Sequence, residues 1–258
     1  MLQPPPNSKA PRLRIGRAER LARLHARLRA SATAGGGVLP FGDPRVDSHL
    51  PNGGLPLGQL HEVLATGIEA ETGAIAAAFI ASLLARLPAA KPIFWIAPEN
   101  DLYAPGLAAL GLNPGRLVMV ATPNNDATLA AMETCLREGA AVAVTAEIGR
   151  LDRTASRRLH LGCLRHATTG FVLRRWPHGT RSEDREATAA VTRWQLAAAP
   201  SARVGKTPGA ARWQVSLLHA RGGREGEWIM ESGSEADPLR VVAGLADHTP
   251  APARHRAV

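Results

Sequence analysis

Two acidic residues, Glu69 and Glu71, stand where a strand hands over to a buried helix, a position whose geometry ordinarily holds an anion. Gln59 to Leu64 alternates polar and apolar side chains and predicts a strand. A loop follows, Ala65 to Glu71, and from Thr72 the residues Ile75, Phe79, Ile80, Leu83, Leu84 and Leu87 recur at helical spacing. Strand, loop and buried helix form the layout of a phosphate-binding loop. The loop chemistry is wrong for phosphate. Such a loop works because glycines let backbone N–H groups approach the phosphates while a lysine neutralises their charge. A carboxylate placed there instead repels a phosphate by about 4 kcal/mol at ~4 Å and an effective dielectric of ~20. No tight ATP site, and hence no nucleotide cofactor, is expected in this loop.

A second chemistry-bearing run is Arg174-Arg175-Trp176-Pro177-His178-Gly179-Thr180-Arg181, followed by Ser182-Glu183-Asp184-Arg185-Glu186. A tryptophan flanked by arginines can stack on a base while the guanidinium groups meet phosphates, which makes Arg174, Arg175, Trp176 and Arg181 candidates for DNA contact. The same residues fit a strand end in which the tryptophan packs and the arginines pair with Glu183, Asp184 and Glu186. Cys135 and Cys163 lie on separate apolar segments without CxxC spacing or a nearby histidine pair, so they read as reduced core cysteines, and no metal site is expected.

The elements that must position these groups alternate. Pro92 to Ala97 is a buried-type strand, followed by Glu99-Asn100-Asp101 and a short helix ending near Gly111. Leu117 to Val120 predicts a strand, Ala127 to Glu138 a helix, Ala141 to Ala146 a strand, Thr154 to His166 a helix, and Gly170 to Leu173 a strand. That order predicts an α/β fold with a mostly parallel, doubly wound sheet. Val191–Leu196 and Ala211–Leu218 share an Arg-Trp-Gln-apolar pattern and, with Glu227–Met230 after Gly222-Gly223, predict antiparallel strands at its C-terminal edge. Their tryptophans need no ligand, since alternation already places them inward.

Before this core, residues 1–38 form a separate region. Met1 to Pro11 is proline-rich and reads as disordered. Arg12 to Ala30 reads as a basic amphipathic helix with Leu21, Leu24 and Leu28 on one stripe and Arg17, Arg20, Arg23, Arg27 and Arg29 around it. Opposed only by Glu19, it carries most of the chain's formal charge of +9. Three uses stay open: packing of the leucines on the core, docking on a partner subunit, or contact with nucleic acid or a membrane surface. Ala32 to Gly37 is a small-residue linker. The core is expected over residues 39–232, with residues 233–258 as a disordered or partner-binding tail. The start of the chain lacks an apolar h-region and no stretch approaches the ~20 apolar residues of a membrane span, so a cytoplasmic location is expected.

Gly53-Gly54-Leu55-Pro56-Leu57-Gly58, the strand after it and the buried helix together resemble the RecA family with its nucleotide site removed. The resemblance puts the loop glycines on Ala65 and Ala70 and the lysine on Glu71, and keeps the family's residue only at Thr72. It puts the water-positioning glutamate on Glu99 and the metal-side carboxylate on Glu147. Both are then vestigial carboxylates, or plain structural ones. It also implies that the N-terminal helix binds a neighbouring protomer and that the loop after Leu173 is the mobile DNA-contacting loop. Gly53-Gly54-Leu55-Pro56 with His61-Glu62, the Pro98-Glu99 segment and the paired Arg-Trp-x-apolar strands resemble more specifically the ImuA family, RecA-like and related to SulA, over about Leu39 to Glu231. That resemblance implies a non-catalytic, damage-inducible adaptor (SOS response) for mutagenic translesion synthesis in DNA repair. Its partners would be an ImuB-like inactive Y-family polymerase relative and an error-prone DnaE-type polymerase or RecA. A SulA-like cell-division inhibitor and a DNA-dependent ATPase with a divergent loop are the competing implications.

Overall fold

The computed structural model describes residues 37–66, 69–99, 101–175, 188–201, 203–204, 207–234 and 237–244. Strand β1 (Val38–Leu39) pairs antiparallel with β2 (Leu55–Pro56). Between them lie α1 (Pro44–Asp47), capped by the Asp43 carboxylate accepting from Arg45 N–H, and a single tight turn at Pro51–Gly53. The glycines of the lead-in have two distinct reasons. Gly53 and Gly58 take left-handed φ values of 73° and 67°, which favour glycine. Gly54 is extended, but a Cβ there would lie 2.8 Å from the Leu39 carbonyl, so only glycine allows β1 and β2 to meet. Gly54→Ala is therefore expected to cost about 1–3 kcal/mol through a backbone clash that no side-chain rotation relieves. A denaturant melt reads this as a lower midpoint at unchanged slope.

The core then alternates as the pattern predicts: β3 (Leu60–Ala65), α2 (Glu69–Ala85), β4 (Ile93–Ala97), α3 (Ala104–Ala109), β5 (Leu117–Ala121), α4 (Asn125–Glu138), β6 (Ala143–Glu147), α5 (Arg153–His166) and β7 (Thr169–Arg174). Next come β8 (Thr192–Ala199), the small pair β9 (Arg203–Val204) and β10 (Thr207–Pro208), then β11 (Arg212–Ala220), β12 (Gly226–Ser234) and β13 (Asp237–Gly244). Nine strands form one sheet in the order β13-β12-β11-β8-β3-β7-β6-β4-β5. Pairing is parallel from β5 across to β8 and antiparallel from β8 to β13.

Helices cover both faces, because the parallel strands are apolar on both. Val63, Trp95, Phe171, Leu173 and Trp194 belong to the core under α2, which contributes Phe79, Ile80, Leu83 and Leu84. Leu60, Ile96, Val144 and Val172 belong to the core under α4 and α5, which contribute Met132, Leu136, Leu159 and Cys163. The antiparallel strands send Trp194, Trp213 and Trp228 inward, with Trp194 ringed by Phe41, Phe79 and Trp228 at centroid distances of 5.4, 5.5 and 6.4 Å. Cys163 is buried, which pushes its thiol up to about 12, and half-buried Cys135 is also raised by burial. Neither is poised to react.

Two expectations are corrected. Helix α2 opens at Glu69 rather than Thr72, because Glu69-Ala70-Glu71 are good helix formers whose charges suit a helix N-terminus, although they carry no apolar periodicity. The sheet also runs past the expected core boundary at residue 232. Strand β13 pairs with β12 from Asp237 to Gly244 and buries Leu239 and Val241 between exposed Arg240 and Val242. Only this brief alternation, behind Pro238, marked it in the sequence.

Candidate functional site at the carboxyl ends of the parallel strands

In a parallel sheet the loops beyond the carboxyl ends of the strands are where ligands are ordinarily held. Here those loops are tied together by side chains. Glu147, the last residue of β6, is buried at 4% exposure. Its Oε1 accepts from Trp95 Nε1 on β4 at 2.7 Å, and its Oε2 pairs with Arg175 Nε at 2.8 Å. Arg175 follows directly on β7 and also reaches Asp101 beyond β4, with Nη1–Oδ2 at 2.8 Å and Nη2–Oδ1 at 3.2 Å. One guanidinium thus spans two carboxylates from two loops. Asn125 makes a second tie at the N-terminus of α4, its amide bonding both the N–H and the carbonyl of Arg150 at 3.0 Å. A carboxylate held on both oxygens by a neutral indole and a cation is an anchor. Each of its oxygens already has a partner.

A second polar cluster lies within the sheet. Glu62 on β3 is 1% exposed. Its Oε2 accepts from Thr188 Oγ1 at 2.7 Å and from Arg193 Nε at 2.9 Å, while Arg174 Nε lies 3.7 Å from Oε1. The central strand is thereby joined to β8 at Arg193 and to β7 at Arg174. On the opposite face His61 is fully buried between Thr192 Oγ1 (2.7 Å, to Nδ1) and the Pro56 carbonyl (2.8 Å, to Nε2). A carbonyl only accepts, so Nε2 carries the proton and Nδ1 accepts from the threonine, which itself accepts from Trp194 Nε1 at 2.8 Å. Burial pushes His61 down to about 4, against a smaller upward pull from the Pro56 carbonyl. The His-Glu pair of the lead-in therefore welds β2, β3 and β8 together.

The structure sorts the candidates read from the sequence. Ala65 ends β3, and Ala70, Glu71 and Thr72 fall in the first turn of α2, whose side chains there lie outside the described residues. Glu99 is exposed beyond β4 and is not part of the Glu147 network; Asp101 takes that place. Two of the DNA-contact candidates, Arg174 and Arg175, have acidic partners within the fold. Arg174 has only 3% of its side chain exposed, against Glu62, and Arg175 is committed to Glu147 and Asp101. The arginines do pair with acids, but Glu62, Glu147 and Asp101 come from distant parts of the chain. Trp176 and Arg181 lie outside the described residues, as do Arg17, Arg20, Leu21, Leu24 and Leu28. Trp95, Asp101 and Glu62 were missed as site residues. The acidic run after β4 and the invariably costly burial of a charge inside an apolar strand were their only signals. Among the described residues no helix is long and apolar enough to cross a membrane, and no group of acidic, histidine or cysteine side chains is gathered to hold a metal ion.

No family model matches the chain. Among solved structures, a KaiC-like protein from Pyrococcus horikoshii is similar over 80% of this chain and 99% of its own, with a TM-score of 0.53 at 16% identity, which speaks for the fold alone. SulA from Pseudomonas aeruginosa aligns over 45% of this chain and 96% of its own, at 24% identity and a TM-score of 0.40. The protein ImuA of Caulobacter vibrioides, in strains NA1000 / CB15N and ATCC 19089 / CIP 103742 / CB 15, is 41% identical over 225 residues, covering 82% of this chain and 91% of the relative. With a KaiC- and RecA-like sheet beneath it and that identity across most of both sequences, the chain belongs to the ImuA family.

Proposed function

We propose that this chain is a non-catalytic RecA-like accessory protein for damage-induced mutagenic translesion DNA synthesis, acting with an ImuB-like inactive Y-family polymerase relative and an error-prone DnaE-type polymerase. Kinship with the Caulobacter ImuA protein supports the role. The observation that carries its non-catalytic character is the state of Glu147. In a nucleotide-hydrolysing RecA-type site a strand-end carboxylate must be free to act on the phosphate-bound metal. In this chain both oxygens of that carboxylate are taken, by Trp95 and by Arg175. A carboxylate so engaged would have to give up one of these partners to turn towards a magnesium-bound nucleotide, which speaks against such a ligand here. Glu71 in the first turn of α2, at the position the family gives to lysine, argues the same way from sequence. Partner binding through the N-terminal basic helix, and any DNA contact through Trp176 and Arg181, belong to the same reading.

Equilibrium binding of a fluorescent ATP analogue with magnesium, with and without single-stranded DNA, tests it. No binding at millimolar nucleotide is expected, and micromolar affinity would overturn the reading. Glu71→Lys alone is expected to yield no measurable ATP turnover, because Ala65 and Ala70 still carry a Cβ where the backbone cradle needs glycine. Replacing Leu21, Leu24 and Leu28 by serine is expected to abolish co-purification with the ImuB-like partner while leaving the circular dichroism of the core unchanged.

A further inference from the structure

Helix α5 carries a face whose composition the fold does not require. Its inner side, Ala155, Ser156, Leu159 and Cys163, is buried against the sheet and α4. Its outer side presents Arg153, Arg157, Leu161 and Arg165 at successive four-residue steps, all exposed. Four-residue steps place them on one stripe, about 18 Å long at 1.5 Å per residue. Leu161 is 65% exposed in the middle of it. The helix contains no acidic residue, and among the described residues Arg158 alone of its arginines forms an ion pair, with Glu133 at 2.8 Å.

Stability does not account for this arrangement. Arg153 stands in the first turn of the helix, where the macrodipole disfavours a cation, whereas Arg165 lies in the last turn, where it is favoured. Arginines four residues apart also repel. A leucine surrounded by such charges gains nothing from water. The stripe is unfavourable in isolation on three counts, and a single kind of contact relieves all three.

We propose that the outer face of α5 is a docking surface for an acidic amphipathic segment of a partner protein, its carboxylates meeting Arg153, Arg157 and Arg165 and an apolar side chain covering Leu161. Charge complementarity selects an acidic occupant. Leu161 selects protein over nucleic acid, since a phosphate backbone leaves a central leucine uncovered and the stripe offers no aromatic ring on which a base could stack. Contacts of this kind follow the helix-in-groove logic, with anchors repeating every three or four residues. The inference is independent of the adaptor reading and would hold for a different partner.

The probe is a fluorescein-labelled synthetic helix with glutamates spaced i, i+4 around two leucines, titrated with the full chain and read by anisotropy. Two comparison ligands are used: the same peptide with serines for leucines, and a single-stranded oligonucleotide. Saturable binding of the first peptide is expected, weakened about tenfold or more by the combined variant R153E/R157E/R165E and several-fold by L161S. All four positions are exposed, so both variants are expected to keep the native melting curve. Full affinity in the triple variant would place the binding elsewhere, for instance on the basic N-terminal region, and overturn the proposal. So would absence of binding, or an oligonucleotide that binds more tightly than the peptide and is insensitive to L161S.

Discussion

Glu62→Ala is expected to destabilise the fold by about 3–5 kcal/mol, the range for removing one partner of a buried ion pair. Glu62 is 1% exposed and meets Arg193 on one neighbouring strand and Arg174 on the other. Truncation leaves the Arg174 guanidinium, whose side chain is 3% exposed, inside the protein without this carboxylate. The cost combines the lost attraction with the burial of two guanidinium groups that each lose one acidic partner. Against a typical total stability of about 5–15 kcal/mol, such a change consumes a large share of the fold. Urea unfolding followed by tryptophan fluorescence checks it, since buried Trp194 sits next to Arg193 in sequence. Glu62→Gln keeps an acceptor for Thr188 Oγ1 and is expected to fall between wild type and alanine. A midpoint for Glu62→Ala within experimental error of wild type would show that the cluster is not what joins β7, β3 and β8.

Acid is expected to weaken the protein through His61. Burial holds this imidazole at about 4, below its ordinary 6.5. Between those values the unfolded chain binds a proton that the native state refuses, so stability falls as pH falls. The contribution is fully present above the unfolded value and is lost progressively as pH drops towards the folded one. A displacement of this size corresponds to about 3 kcal/mol once the window is crossed. Burial is the main cause, and the tautomer works in the same direction. Nδ1 accepts from Thr192, so a second ring proton points a donor at a hydroxyl already receiving Trp194 Nε1. His160, also held at about 4 by burial and by nearby Arg221, acts in the same direction, but its greater exposure makes its share smaller. Urea midpoints measured from neutral pH down to about pH 4.5 should fall steadily, and less steeply in His61→Gln. An unchanged midpoint across that range would mean that His61 is not held neutral.

These two residues show how the lead-in is to be understood. Gly53-Gly54-Leu55-Pro56 and His61-Glu62 are the motif on which the family resemblance rests most firmly, and each of their described contacts is internal. Gly54 admits the Leu39 backbone, His61 bonds Pro56, and Glu62 collects two strands. The motif identifies the family because it builds the start of the sheet.

Much of the architecture follows from local pattern. Apolar runs such as Ile93–Ala97 and Ala143–Glu147 are buried on both faces and read as parallel strands, and the alternation around Trp194, Trp213 and Trp228 gives antiparallel strands with one polar face. Helix ends are equally local. Asn124 and Asp152 cap α4 and α5 by accepting from Ala127 and Ala155 N–H at 2.9 and 2.7 Å. Order, type and approximate bounds of the core elements from β3 to β8, and of β11 and β12, were thus legible, whereas the short elements β1, α1, β2, β9 and β10 were not. Strand β13 escaped because a short alternation behind a proline carries little periodic signal.

The partners of the charged groups were not legible, and the reason is register. Glu62 lies beside Arg193 because β3 and β8 pair at that position, across 131 residues of chain. Arg174 and Arg175 are neighbours in sequence, yet one turns to Glu62 inside the sheet and the other to Glu147 and Asp101 at its carboxyl end. A strand shifted by one residue would exchange those faces without altering the local sequence pattern. Sequence by itself determined an α/β chain of ImuA type. Tertiary structure alone decided that the strand-end carboxylate is held by an indole and an arginine, because only the folded sheet brings β4, β6 and the residue after β7 within hydrogen-bond reach.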